Sequence, residues 1–197
     1  TFIYRGTENR VALAGDVNLW DPASDPLTRI DSTNLWYRTD TLPPDARLEY
    51  KFVLDDDHWI LDPLNHRMAR GGFGYNSEVR MPEYKVSPDI KSTPDIPRGV
   101  IQNTLLYSKF LGNSRKISVY LPPGYPSGTD SFSVIFFNDG SDYLNIVDVP
   151  AIMDNMIWQK KIQPVVAVFV PEVNRFAEYT DSLQIPFSRF FMEELWE

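Results

Sequence analysis

The chain has 197 residues, of which 43% are hydrophobic and 14% aromatic, so it is long enough to bury one large core or two small ones. Its formal net charge of -8 argues against sequence-independent binding of nucleic acid, which needs an excess of lysine and arginine on one face. Cysteine is absent and there are only two histidines, so we expect no disulfide, no metal site and no cofactor. No apolar run approaches the length of a membrane span. The sequence is compatible with the cytoplasm and with a periplasmic or secreted location.

Residues 1–84 are predicted to form an all-β domain. Short segments rich in β-branched and aromatic residues alternate with turn residues at close spacing, which is typical of an antiparallel sandwich of the immunoglobulin-like kind. The predicted strands are residues 2–4, 10–14, 35–39, 48–54, 59–61 and 78–81.

Motifs within this domain resemble those of family 48 carbohydrate-binding modules and related early-set sandwich domains. They are the stretches 14–20, 49–55, 58–63 and 74–77. The resemblance implies an α-glucan-binding surface made of Trp20, Lys51, Trp59 and Asn76. Indole rings stack on the apolar faces of sugars, while the amine and the amide supply hydrogen bonds to hydroxyl groups.

The two tryptophans also have a purely structural interpretation, because they could cap the sandwich core or pack on the second domain. Glycan binding requires all four side chains to converge on one solvent-facing patch. We predict instead that at least one of the indoles of Trp20 and Trp59 is mostly buried.

Residues 85–99 contain three prolines and show no hydrophobic periodicity. Proline fixes φ and removes a backbone donor, so this stretch is predicted to be a semi-rigid linker between two domains.

From residue 100 to residue 197, the order of elements predicts the first half of a mixed α/β sheet. A hairpin is followed by a buried strand, a helix and a second buried strand, which is the spacing of a right-handed β-α-β crossover. These elements are expected at residues 102–110, 115–121, 133–138, 149–161 and 165–170.

Polar residues follow both parallel strands. Ligands of open α/β sheets bind beyond the carboxyl ends of the strands, so Asp139, Gly140, Arg175 and Glu178 are expected on one rim. There, Asp139, Arg175 and Glu178 are candidates for substrate contact. In the alternative interpretation, Arg175 and Glu178 form an ion pair with each other that only braces the loop after the second strand.

The second domain resembles the esterase D-like α/β-hydrolases, which include enterochelin esterases, feruloyl esterases and S-formylglutathione hydrolases. The resemblance rests on the stretches 115–125, 133–140, 162–170 and 174–179, the last of which favours the branch of the enterochelin esterases. It implies a serine carboxylic-ester hydrolase that acts through an acyl-enzyme on a small-molecule or sugar-linked ester. It also implies that a backbone amide near Gly140 or Ser141 forms half of an oxyanion hole.

The chain lacks the nucleophile and the catalytic histidine that this chemistry needs. Neither Gly140 with Ser141 nor Ser127 with Gly128 makes the G-x-S-x-G elbow, and both histidines lie in the first domain. We therefore expect the chain to be the front part of a longer enzyme and to be inactive alone. The alternative is a carbohydrate-binding protein with a catalytically inactive hydrolase-like domain, whose partner is a polysaccharide.

The hydrolase resemblance also implies an order of strands. The strand at 165–170 is expected between the hairpin and the strand at 133–138, which leaves the outer edge of the latter without a partner in the chain. An apolar edge is a template for further pairing. We expect a second copy of the chain, or residues outside 1–197, to cover it.

Overall fold

A computed structural model describes residues 1–91, 93–125 and 131–196. Ser127 and Gly128, which we expect not to form a nucleophile elbow, lie outside the described residues. The chain divides into two compact units, Thr1–Val86 and Ser87–Glu197, close to the boundary predicted at residue 84. Over the described residues the chain holds more strand than helix, and its α-helices all lie in the second unit. None of the helices in this described part combines the length and apolar character that crossing a membrane requires.

The first unit consists of antiparallel strands that include all of those predicted from the sequence. They are β1 (Phe2–Arg5), β2 (Val11–Gly15), β3 (Thr28–Arg29), β4 (Leu35–Arg38), β5 (Arg47–Leu54), β6 (His58–Ile60), β7 (Met68–Gly71) and β8 (Gly74–Arg80). One sheet has the order β1-β4-β3, and the other has the order β2-β5-β8-β7 with β6 paired to β5.

Side chains from both sheets enclose one core. Phe2 and Tyr4 of β1 alternate with exposed residues, as expected for a strand with one buried face. Phe2 meets Tyr50 of β5 edge to face with ring centroids 4.9 Å apart, and Tyr4 meets Phe52 at 5.5 Å. The two sheets therefore pack face to face, and the immunoglobulin-like topology stays a prediction.

The second unit is a mixed sheet flanked by helices. Its elements are β9 (Val100–Ser108), β10 (Asn113–Leu121), β11 (Ser133–Asn138), α1 (Gly140–Asn145), α2 (Val149–Trp158), β12 (Val165–Val170), α3 (Arg175–Thr180) and α4 (Gln184–Phe190), which continues into a π-helical turn over Phe191–Leu195. The strand order is β11-β12-β10-β9, with β12 parallel to β11 and antiparallel to β10. The prediction that the strand at 165–170 lies between the hairpin and the strand at 133–138 is confirmed.

Helices cover both faces of this sheet. Successive residues of β12 point to opposite sides, so they pack against different helices. Ala167 and Phe169 pack with Met153 of α2, whereas Val170 packs with Phe190 of α4. Because both faces of β12 are covered by helices, every residue of this strand is apolar.

The outer edge of β11 pairs with no other strand of the described residues. Val134 and Ile135 on this strand are 41% and 42% exposed. Coverage of this edge by a second copy, or by residues outside 1–197, stays a prediction.

The predicted linker is attached to α2 and, apart from its first two residues, belongs to the second unit. Nδ2 of Asn155 donates to the carbonyl oxygens of Asp89 and Lys91, both at 2.7 Å. Oδ1 of Asp154 accepts a hydrogen bond from the amide of Gly99 at 2.8 Å. Adjacent side chains of one helix thus hold the proline-rich stretch at residues 89–91 and at its last residue.

Candidate functional site

The turn that follows β11 is pinned against the end of β12. Asp139 adopts a left-handed conformation with φ 54°, which costs a residue other than glycine roughly 1–2 kcal/mol. Gly140 then begins α1 so close to β12 that a Cβ atom on it would overlap the backbone of Phe169 and Val170. Only glycine fits there, so steric contact with β12 sets the position of the turn.

Two side chains of α3 hold the carboxylate of Asp139. Nε of Arg175 donates to Oδ1 at 2.9 Å, and its Nη2 lies 2.9 Å from Oδ2. The hydroxyl of Tyr179 donates to Oδ1 at 2.9 Å and accepts a hydrogen bond from the backbone amide of Asp139 at 3.2 Å. We call Asp139, Arg175 and Tyr179 the aspartate clasp.

The electrostatics of the clasp favour this arrangement. Burial and the hydrogen bond to Asp139 both raise the pKa of the Tyr179 hydroxyl, so it keeps the proton that it donates. The hydrogen bond from Arg175 to Asp139 raises the pKa of the guanidinium, which lies 3.4 Å from Asp142 as well. The guanidinium is therefore held between two carboxylates.

Glu178, the third predicted rim residue, has a different partner. Its carboxylate is buried and forms two hydrogen bonds with Arg115 of β10, at 2.7 and 2.9 Å. The amide of Asn174 donates to it at 3.1 Å. Burial acts to raise the pKa of Glu178, but these hydrogen bonds outweigh that effect and lower the pKa. Arg175 and Glu178 thus engage different residues, and Glu178 braces the start of α3.

Gly140 and Ser141, the predicted oxyanion residues, are the first two residues of α1. The helix begins where the carbonyl of Asp139 accepts hydrogen bonds from the amides of Asp142 and Tyr143. The first amides of a helix have no acceptor within the helix, and for Gly140 and Ser141 the described part of the chain offers none. Ser141 is exposed, so its N–H group is able to bind an external acceptor, whereas Gly140 is buried against β12.

A cavity of about 410 Å³ shares Tyr179 with the clasp. Its walls include Asn138 at the end of β11 and aromatic side chains from the region of α4, among them Phe187 and Phe191. Its size lies in the range of small-molecule sites. No cluster of side chains suited to hold a metal ion is found in residues 1–91, 93–125 and 131–196.

A second cavity, of about 570 Å³, lies in the first unit and brings the four predicted glycan-binding residues together. Trp20, Lys51, Trp59 and Asn76 line it together with Phe73, and we call this set the aromatic groove. Trp59 is 41% exposed and Trp20 is partly buried, so neither indole belongs to the buried core of the sandwich.

Local structure explains how the groove is built. Trp20 follows a short 3-10 turn, and its indole nitrogen donates to Asp16 at 3.2 Å. Asn76 lies on β8, and its amide donates to Glu49 of β5 at 2.8 Å. The groove thus presents aromatic surface beside fixed hydrogen-bonding groups.

Sequence reasoning missed two residues of the second-unit site. Tyr179 lies 40 residues from Asp139, and Arg115 lies 63 residues from Glu178. The stretches that carry the hydrolase resemblance contain both Tyr179 and Arg115, but spacing along the chain does not indicate their partners.

The comparisons with known proteins agree with this architecture. Residues 108–193 match the model of the esterase family, described as "Putative esterase". No curated protein gives a significant sequence match. The fold is similar to that of ferric enterobactin esterase from Salmonella typhimurium, with a TM-score of 0.69, 18% identity and 99% of this chain covered. It is also similar to enterobactin esterase from Shigella flexneri, with a TM-score of 0.66, 19% identity and the same coverage.

The chain spans 59% of the length of the Salmonella protein and 58% of that of the Shigella protein. Both units therefore have the fold found in enterobactin esterases. The family match falls on the second unit, which contains the aspartate clasp.

Proposed function

We propose that the full-length protein is a serine carboxylic-ester hydrolase and that this chain supplies half of its oxyanion hole. The observation that carries the proposal is the turn at Gly140 and Ser141, whose amides lack an acceptor among the described residues. The turn lies at the carboxyl ends of two parallel strands, where such sheets bind their ligands, and within the segment that matches the esterase family.

The reaction begins when a serine from outside residues 1–197 attacks the ester carbonyl. The carbonyl oxygen becomes negatively charged, the alcohol leaves with a proton, and water then hydrolyses the acyl-enzyme. The N–H group of Gly140 or Ser141 donates to the charged oxygen, and a donor of this kind contributes about 10² to 10³ in kcat.

The remaining rim residues have distinct roles in this proposal. The carboxylates of Asp139 and Glu178 are both engaged by guanidinium groups and serve to hold the turn and α3. Arg175 is partly exposed and is the residue that contacts the substrate. The substrate is a small-molecule or sugar-linked ester, and enterobactin, after which both structural relatives are named, heads the panel to be tested.

The test is an ester panel on the full-length protein, with a variant that deletes one amide. Ser141→Pro removes the N–H group at the second position of α1, where α2 itself carries Pro150. If the Ser141 amide is the donor, kcat falls about 10² to 10³-fold, whereas Ser141→Ala retains activity. Absence of hydrolysis above a heat-inactivated control by the full-length protein rejects the proposal.

The aromatic groove favours a second candidate function, the binding of α-glucan by the first unit. The supporting observation is that Trp20, Lys51, Trp59 and Asn76 line one cavity. Retention on a glycogen column tests it, and Trp59→Ala should abolish retention. Trp158→Ala, which removes an exposed indole from the second unit, is the control. If the full-length protein binds glycogen and hydrolyses no ester, the result supports the alternative of a carbohydrate-binding protein with a catalytically inactive hydrolase-like domain.

A further inference from the structure

We propose that Tyr179 is a positioning residue for the oxyanion turn, because its hydroxyl holds Asp139 in the left-handed conformation that presents the amides of Gly140 and Ser141. This inference rests on the proposed function of those amides.

The hydroxyl of Tyr179 binds both the side chain and the backbone of a single residue. It donates to Oδ1 of Asp139 at 2.9 Å and accepts from the amide nitrogen of Asp139 at 3.2 Å. The two bonds close a ring that includes the N–Cα bond of Asp139, so they restrain its φ angle of 54°. The left-handed conformation costs roughly 1–2 kcal/mol, which two hydrogen bonds are able to offset.

Arg175 does not replace this function, although it also binds the carboxylate of Asp139. A guanidinium has donors only, so it cannot accept the hydrogen bond of the Asp139 amide. The position of Tyr179 is itself well fixed. Its ring packs on Phe187 with centroids 5.3 Å apart, and the preceding residue, Glu178, is anchored to Arg115.

Tyr179→Phe isolates the hydroxyl, because the phenyl ring keeps its contact with Phe187. In the full-length protein we expect kcat to fall about tenfold with little change in KM, since the lost interaction acts in the transition state.

Tyr120→Phe is the matched control, because it removes a buried hydroxyl that donates to Asp154 at 2.7 Å in the same unit. Its kcat should stay within about twofold of the parent value, even if stability falls. Equal loss of kcat in the two variants, or an unchanged kcat in Tyr179→Phe, overturns the inference.

Hydrogen exchange of the 197-residue chain tests the clasp without activity. The amide of Asp139 should exchange about tenfold faster in Tyr179→Phe than in the parent chain, because the hydroxyl that accepts its hydrogen bond is gone. In Tyr120→Phe the amide of Asp139 should exchange at the parent rate, when both rates are compared with those of neighbouring amides. An unchanged rate in Tyr179→Phe overturns the inference. A full-length parent protein that hydrolyses no ester of the panel rejects the proposed function instead, while the exchange result still decides whether Tyr179 holds the turn.

Discussion

The ion pair between Glu178 and Arg115 fixes α3 to the sheet. Both side chains are almost completely buried, at 1% and 0% exposure. Glu178→Gln leaves the guanidinium without its counter-charge, so we expect a loss of about 3–5 kcal/mol in the free energy of unfolding. Urea unfolding followed through amide signals of the second unit measures this loss.

A double variant separates the cost of an unpaired charge from the loss of packing. Arg115→Met combined with Glu178→Leu removes both charges and should recover most of the stability lost in Glu178→Gln. A loss below about 1 kcal/mol in the single variant would show that the buried pair does not brace α3.

The same carboxylate predicts a dependence of stability on pH. The hydrogen bonds from Arg115 lower the pKa of Glu178 in the folded state. The stability that Glu178 contributes is therefore fully present above the pKa that this carboxyl has in the unfolded chain. It is lost as the pH falls through the lower pKa that the carboxyl has in the folded state. Between neutral and acidic pH, the unfolding midpoint of the parent should fall more than that of the Arg115→Met, Glu178→Leu variant. Parallel pH profiles would contradict this prediction.

The sequence indicated the rim residues but not their contacts. Asp139 and Arg175 were predicted at one rim because they follow neighbouring parallel strands, and the structure joins them. The partner of Glu178 could not be predicted, because an ion pair across 63 residues depends on the register of β10 against β12. The clasp by Tyr179 likewise depends on tertiary packing.

At the scale of elements, the close approach of α1 to β12 makes Gly140 irreplaceable. A methyl group there meets the backbone of Val170, which cannot move without disturbing the sheet. We expect Gly140→Ala to destabilise the second unit by about 2 kcal/mol or more. Gly112→Ala is the control, because Gly112 has φ 63° but open space around it, and it should cost only about 1 kcal/mol. Equal costs, measured by urea unfolding, would show that the turn is not packed tightly on β12.

Long elements with a clear period were predictable, and short ones were not. The predicted strand at 48–54 is present in β5, which spans Arg47–Leu54 and alternates between partly buried and buried positions from Glu49 to Phe52. The two-residue strand β3 and the six-residue helix α1 are too short for a periodic pattern, and they form because neighbouring elements pack on them. The attachment of the linker also escaped prediction, because Asn155 lies more than 60 residues away.

For the molecule as a whole, the first unit encloses its own core between two sheets. We therefore expect residues 1–86 to fold alone and to unfold cooperatively. The amide spectrum of this fragment should overlay the signals of the same residues in the intact chain, apart from those near residue 86. A collapsed, poorly dispersed spectrum would contradict the prediction.

The proposal of a serine hydrolase is tested most directly by labelling the full-length protein with a fluorophosphonate and locating the label by peptide mass spectrometry. We expect one labelled serine outside residues 1–197, loss of ester hydrolysis on labelling, and no labelling of the 197-residue chain alone. A full-length protein that neither reacts with the probe nor hydrolyses any ester of the panel would contradict it.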